Sequence, residues 1–427
     1  MMSQFDRRSI LLGASTLGAS MVLGAPAVLG RAKANVIVIG GGPGGATAAK
    51  YIAKDSEGQL AVTLVEPASQ FVTCFHSNLY LGGFRDMQSI THRYDTLAAQ
   101  YKIKHARQMA KLIDRDKKQV VLNDGTRLSY DRLVISPGID LKYDSVPGWG
   151  QQFEQSMPHA WKAGPQTDIL KKRLAAVPNG GTIVMIAPPN PYRCPPGPYE
   201  RVSMMAHVLK TAGKTKSKII IIDPKESFSK QALFQQAWDR HYPGMVEWLG
   251  PKIHEGVKSV DPKTNTVVTG FETYKNAALV NVIPAQMASK VARDAQLVDG
   301  SGFCPINPET MQSANDKSIY VVGDACIAGD MPKSAFAANS QAKVAAMNVR
   351  GELTQSRVFP ARYSNTCWSL LAPDDTVKVG GSYAAKDGKI GAVETFVSQT
   401  NETPAQRKDQ QAENMGWYAG ITKDIFG

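Results

Sequence analysis

The five cysteines, Cys74, Cys194, Cys304, Cys326 and Cys367, contain no Cys-x-x-Cys pair and no Cys-x-x-Cys-His. That absence excludes zinc ribbons and a c-type haem attached to this chain. The histidines show no His-Glu-x-x-His spacing, so the zinc-protease pattern is also missing. Beyond the N-terminus no run approaches the ~18 apolar residues of a transmembrane helix, so no integral membrane segment is expected. The formal charge is +12, but Lys and Arg are scattered and form no long basic run. Nucleic acid is therefore not an expected partner. The charge suits solubility, with some steering toward an acidic protein. A chain of 427 residues, 43% hydrophobic and 20% charged, is globular and long enough for two or three domains.

The first residues do not read as fold. "DRRSILLGASTLGASMVLGAPA" has a twin arginine, Arg7 and Arg8, then a mildly apolar Ala/Gly/Ser-rich run from Ile10 to Leu23, then Ala25 and Ala27. This resembles a Tat export signal over 1–34, too short and too weakly apolar to anchor the protein. The expected location is the periplasm, where disulfides persist. An odd thiol count there leaves at least one cysteine needing a separate explanation.

"NVIVIGGGPGGATAAKYIAK" starts at Asn35. Val36 to Ile39 has the character of a buried parallel strand. Gly40, Gly42 and Gly45 then form Gly-x-Gly-x-x-Gly before a helical segment. Glycines permit the tight turn and close backbone approach, and the helix N-terminus accepts a pyrophosphate. Glu66 ends the next strand, "AVTLVEP", about twenty residues on, where a ribose-binding carboxylate belongs. Two later segments decide between FAD and NAD. "YDRLVISPGID" (Tyr130 to Asp140) and "KSIYVVGDACI" (Lys317 to Ile327) resemble the later FAD segments of two-dinucleotide flavoproteins. Asp324 would contact the ribityl chain, or would cap a following helix. The reading is FAD.

A second strand–helix–strand unit spans about 149–284. Its strands are "GTIVMIA" and "SKIIIID", the latter ending at Asp223, and "RVSMMAHVLK" between them places Val202, Met205, Ala206 and Leu209 on one apolar face. Its phosphate loop, however, is "APPNPYRCPPGPYE". Proline lacks the N–H that cradles phosphate, and its fixed φ prevents the glycine turn. NAD is not expected here. Cys194 stands just before the helix, and the helix N-terminus with Arg193 and Arg201 is expected to lower its thiol pKa.

Together, "YRCPPGPYER", "FVTCFHSNLYLGG", "GDACI" with "MPKSAFAANSQAKVAA", and "NTCWSLLAP" resemble the flavoprotein subunit of flavocytochrome c sulfide dehydrogenase, from about Asn35 to Gly427. The resemblance implies an α/β, glutathione-reductase-like two-dinucleotide-binding flavoprotein, its second Rossmann-like domain lacking a working NAD loop, plus a C-terminal α+β interface domain. The implied domains are 35–148 with 285–345 for FAD, 149–284 for the degenerate unit, and 346–427 for the interface. It also implies FAD bonded through Cys74, a redox disulfide of Cys194 and Cys367, and Glu200 as an acid/base. Cys304 and Cys326 remain, read as packed thiols. The implied activity is hydrogen sulfide oxidation with electrons passed to a c-type cytochrome subunit, the only carrier of haem. The alternatives are a sulfide:quinone oxidoreductase, or a non-catalytic flavin-binding partner with a structural disulfide. The polar tail offers no amphipathic membrane helix, which disfavours the quinone reading.

Overall fold

Val36 and Val38 are wholly buried in the strand Ala34–Ile39 because parallel strands lie on both its sides. Leu60–Val65 pairs on one side and Arg132–Ile135 on the other. The sheet runs on to Lys104–Ala106 at one edge and through Asp316–Val321 to the antiparallel Gln312–Ser313 at the other. The chain leaves Ala34–Ile39 in one direction and returns on its far side. Such a reversal opens a crevice beyond the carboxyl end of the strand. The computed structural model describes residues 33–427, so the twin arginines and the apolar run after them lie outside the described residues.

The second parallel sheet has the order Val246–Leu249, Lys218–Ile222, Thr182–Ile186, Leu279–Val282. Alternate residues of a strand face opposite ways. Ile183 and Met185 accordingly join the main core, while Val184 and Ile186 join a separate cluster with Ile222 and Val282. Helix Gly197–Thr211 follows the proline loop. Val202, Met205, Ala206 and Leu209 are buried as their spacing predicts, but Ser203 and Met204 are buried too. The expected single apolar face is thus corrected to a helix covered nearly all round its first half, because the helix Ser77–Leu81 and the strand Arg362–Ala372 pack against it as well.

The C-terminal part is an antiparallel meander, Arg362–Ala372, Asp375–Lys386 and Lys389–Val397, with the helix Pro404–Phe426 packed on its middle strand. Thr403 and Gln406 form a capping box at that helix. Its inward face repeats at i, i+3 or i+4: Arg407, Gln410, Asn414, Tyr418, Ile421, Ile425. Much of that face is polar, and its partners are built in. Arg407 meets Asp375 at 3.1 Å and Glu402 at 2.8 Å. No helix among the described residues is long and apolar enough to cross a membrane.

Candidate active site

A cavity of about 1090 Å³ opens at the carboxyl end of Ala34–Ile39 and reaches both the glycine loop and the proline loop. Gly40, Gly42 and Glu66 line one part of it; Cys74, Cys194, Glu200, Asp324 and Cys367 line the rest. At Gly45 an added Cβ would lie 1.8 Å from the Gly40 carbonyl oxygen, so only glycine lets the loop close. Helix Pro43–Asp55 has no side-chain cap, and the N–H groups of its first turn are left for an anion. Glu66 accepts from the N–H groups of Gly41 at 2.8 Å and Ala68 at 3.0 Å, which holds its carboxylate at the cavity wall. Trp161 Nε1, Trp417 Nε1 and His76 Nδ1 belong to cavity-lining residues and are buried without a hydrogen-bond partner. An uncapped helix, a fixed carboxylate and unpartnered ring nitrogens around one large cavity fit a bound dinucleotide such as FAD.

Cys74 follows the short strand Gln70–Val72 in a segment clamped by the C-terminal helix. Thr73 Oγ1 and Tyr418 Oη are 3.0 Å apart, and His76 stacks on Tyr418 with ring centroids 4.2 Å apart. His76 Nε2 lies 3.0 Å from Asn414 Oδ1. Burial drives the His76 pKa down to about 3, so the ring is neutral and acts as a spacer. Asp324 lies inside the turn Gly323–Ala325, whose cap position is Val322, so it is not the helix cap considered above. Its carboxylate instead faces Arg193 at 3.6 Å.

Cys194 takes φ +58, in the left-handed region that non-glycine residues seldom occupy. Its N–H donates to the Lys333 carbonyl at 2.8 Å, and its own carbonyl accepts from Gly197 N–H at 2.8 Å. Gly197 lets the two side chains close in: a Cβ would meet Cys194 Sγ at 2.8 Å and the Trp161 ring at 2.9 Å, so either would have to shift. Glu200, in the first turn of the helix, accepts from Asn78 Nδ2 at 2.9 Å and from Leu370 N–H at 3.0 Å. Burial raises its carboxyl above the usual range. Cys367 reaches the same cavity from Arg362–Ala372. The structure holds Cys194 and Cys367 as two thiols in one cavity and not as the implied disulfide; Cys74 is likewise free, and Cys304 and Cys326 are wholly buried side by side in a β-bridge.

One expectation is overturned. The Cys194 thiol is not lowered by its helix but pushed well up. Desolvation is the largest cause, followed by the neighbouring Cys367, Glu200 and Cys74; Arg193 opposes them and loses. Arg201 lines the same cavity, but its guanidinium is held by the carbonyls of His159 at 2.8 Å and Ala160 at 2.6 Å.

Several polar residues of the site escaped sequence reasoning. Arg193 was noted only as a basic neighbour, whereas Asn78, Lys230 and Asn365 were not singled out. Lys230 carries no motif at all; its side-chain hydrogen-bond acceptors are 137 or more positions away in the chain.

The position equivalent to Glu66 in the second unit is Asp223, and it is fully buried. Its carboxylate takes Tyr199 Oη at 2.5 Å, Trp248 Nε1 at 2.9 Å and Lys225 Nζ at 2.6 Å. Tyr199 stacks on Phe228 at 3.6 Å between centroids.

Comparison with known proteins fits this geometry. Residues 34–180 match the pyridine nucleotide-disulphide oxidoreductase family. Residues 167–284 match the central domain of the sulfide dehydrogenase (flavocytochrome c) flavoprotein chain, and 360–426 match the flavocytochrome c sulphide dehydrogenase flavin-binding domain. A flavoprotein chain of that dehydrogenase from Chlorobaculum thiosulfatiphilum is 56% identical over 43 residues, 10% of this chain and 88% of that sequence. The chain belongs to the flavocytochrome c sulfide dehydrogenase flavoprotein family. Its fold is that of the two-dinucleotide-binding flavoproteins, and its chemistry is FAD-dependent sulfide oxidation. More distant likenesses agree on the fold. The sulfide:quinone oxidoreductase of Aquifex aeolicus superposes with a TM-score of 0.72 at 19% identity, covering 92% of this chain and 91% of that one. The mouse mitochondrial sulfide:quinone oxidoreductase is 21% identical over 72% of this chain and 69% of its own.

Proposed function

We propose that this sulfide dehydrogenase flavoprotein oxidises hydrosulfide at a redox disulfide of Cys194 and Cys367 and delivers the electrons to a c-type cytochrome subunit. The carrying observation is that Cys194, Cys367 and Glu200 line the cavity that the glycine loop also lines. Bound FAD supplies a two-electron acceptor there, held by Gly40, Gly42, Gly45, Glu66 and Asp324 and bonded to Cys74. Hydrosulfide is a good nucleophile toward a disulfide sulfur, and the attack leaves a persulfide on one cysteine and a thiolate on the other. Glu200 takes the substrate proton; its raised carboxyl retains a proton at higher pH than an ordinary glutamate.

The same reading divides the chain into an FAD domain (35–148 and 285–345), a degenerate NAD-like domain (149–284) and an interface domain (346–427), and puts the protein in the periplasm after Tat export. Val393, Phe396 and Val397, exposed on the strand Lys389–Val397, support a partner face on the last of these. Asp223, held by three side-chain donors and the Lys225 N–H, and the proline loop support the absence of NAD.

The experiment is anaerobic sulfide titration of the holoprotein, followed at the flavin band. Cys194→Ser or Cys367→Ser should slow bleaching by roughly 10³-fold or more, while dithionite still reduces the flavin. Normal sulfide turnover in either variant would sink the reading. Acid precipitation should leave yellow colour in the pellet, and Cys74→Ser should release the flavin. The likeness to sulfide:quinone oxidoreductases, over 92% of this chain for the one from Aquifex aeolicus and 72% for the mouse one, favours a second reading, with quinone as acceptor. Rapid reduction of ubiquinone with no reduction of cytochrome c would select it.

A further inference from the structure

Lys230 has no part in the chemistry above, yet it is buried beneath the site. It sits at φ +63 just before the helix Gln231–His241. Its Nζ donates to the Cys367 carbonyl at 3.1 Å, Ser369 Oγ at 2.9 Å and the Val377 carbonyl at 3.4 Å. All three acceptors are neutral. Burying an ammonium costs several kcal/mol, and neutral acceptors do not offset its charge. Burial pulls the Lys230 pKa down to about 8, and the groups that oppose this and favour its charged form are Cys367 first, then Glu200 and Cys194. The cation is therefore placed for a negative charge that develops at Cys367.

Asn365 adds a second, independent contact. Its Nδ2 donates to Cys367 Sγ at 3.6 Å; its Oδ1 accepts from the Ser334 hydroxyl at 2.5 Å and also stands 3.8 Å from the Cys367 thiol. With the serine already on the amide oxygen, the N–H is the group free to meet a thiolate at Cys367. Cys194 has no such support. Among the described residues no side chain donates to its sulfur; Arg193 faces Asp324 and the Trp161 carbonyl, and Arg201 donates to the His159 and Ala160 carbonyls. Lys230 is felt by both cysteines, by Cys367 first, and only Cys367 has its own carbonyl on the ammonium and a side-chain amide against its sulfur.

We propose that Lys230 and Asn365 are positioning residues that hold Cys367 as the leaving thiolate, so that the substrate sulfur is taken up on Cys194. This rests on the disulfide reading above and adds its direction. The hydrosulfide lone pair forms a bond to Cys194 Sγ, and the Cys194–Cys367 bond breaks with its electron pair left on Cys367 Sγ. The sulfide sulfur is oxidised, the disulfide is reduced, and the proton passes to the Glu200 carboxylate. The better-stabilised thiolate is the better leaving group in such an exchange. Burial raises the Cys367 thiol, with Lys230, Asn365 and Ser334 pulling it down; Glu200 raises both cysteines, so its uptake of the proton relieves the whole pair as charge grows on Cys367.

The test is a single anaerobic turnover of oxidised holoenzyme with less than one equivalent of sulfide, quenched with iodoacetamide and read by peptide mass spectrometry. The extra sulfur is expected on the Cys194 peptide, with plain alkylation at Cys367. Extra sulfur on Cys367 overturns the direction and leaves the disulfide reading standing. Bleached flavin with no extra sulfur on either peptide removes the disulfide reading and this proposal with it. In the fully reduced holoenzyme, Cys367 should alkylate faster than Cys194. Lys230→Met or Asn365→Leu should slow the Cys367 reaction alone, by roughly tenfold for the lysine. Equal slowing at both cysteines, or none, overturns the positioning roles.

Discussion

At the end of Ala34–Ile39 the chain turns through glycines into Pro43–Asp55; at the end of Thr182–Ile186 it turns through prolines into Gly197–Thr211. Each following strand ends in a carboxylate, Glu66 or Asp223. Neither helix start carries a side-chain cap, but in the first unit Glu66 stands at the cavity wall. In the second, Asp223 is consumed by Tyr199, Trp248 and Lys225, and the loop presents a sulfur. The topology that aims a loop at a crevice is retained in both. What the loop offers there, N–H groups or a thiol, is set by a few residues. The family's use of FAD belongs to the first loop; the proposed site of sulfide attack belongs to the second.

The largest effect should come from spoiling the first loop. Gly45→Val would drive its side chain into the Gly40 carbonyl, 1.8 Å from the new Cβ. The purified variant should carry almost no FAD by absorbance, and the protein should lose all sulfide turnover with it. Full FAD content would show that the glycine loop is not the cradle.

Next in size is Glu200→Gln, which leaves the second loop's shape and removes its proton acceptor. Sulfide-driven flavin reduction should slow by roughly 10²-fold, with dithionite reduction unchanged. The stability effect has a definite sign. Burial, the largest influence, raises this carboxyl above its ordinary value, against the opposing pull of Asn78, the Leu370 N–H, Lys230 and Arg201. Folding therefore favours the protonated acid. That contribution is complete below the ordinary carboxylate pKa and is lost as pH rises through the raised value. Wild type should lose stability relative to the glutamine variant over that rise, as measured by urea midpoints at successive pH values. A parallel pH dependence of the two proteins would refute the buried-acid assignment.

Both loops were legible in the sequence for the same reason: each follows a short apolar run, and Gly and Pro have fixed backbone consequences. Glu66 and Asp223 were legible as strand ends. Their different fates were not, because Asp223 is occupied by Trp248 and Lys225, which no local pattern links to it. The Cys194 thiol was misjudged for a related reason. A helix start and two arginines are visible along the chain, whereas desolvation and the company of Cys367, Glu200 and Cys74 arise only when distant segments meet. Lys230 shows the limit most plainly. Its position before a helix is ordinary, and its importance lies wholly in the strands Arg362–Ala372 and Asp375–Lys386 that fold over it.

The smallest expected effect on activity, and the sharpest test of the comparison, is at Asp223. If this carboxylate is a structural remnant, Asp223→Asn should leave sulfide oxidation unchanged, since Asp223 does not line the cavity. It should cost stability instead. Lys225, only 9% exposed, would lose its ionic partner and remain buried, and Tyr199 and Trp248 would donate to a weaker acceptor. Breaking a buried pair from one side costs about 3 kcal/mol or more, which a shift in the urea midpoint at constant slope would report. NADH should fail to bleach the flavin in either protein, because the proline loop supplies no phosphate cradle and the would-be ribose carboxylate is already bonded. Bleaching by NADH in wild type, lost in Asp223→Asn, would make the second unit a working nucleotide site and end the contrast between the two loops.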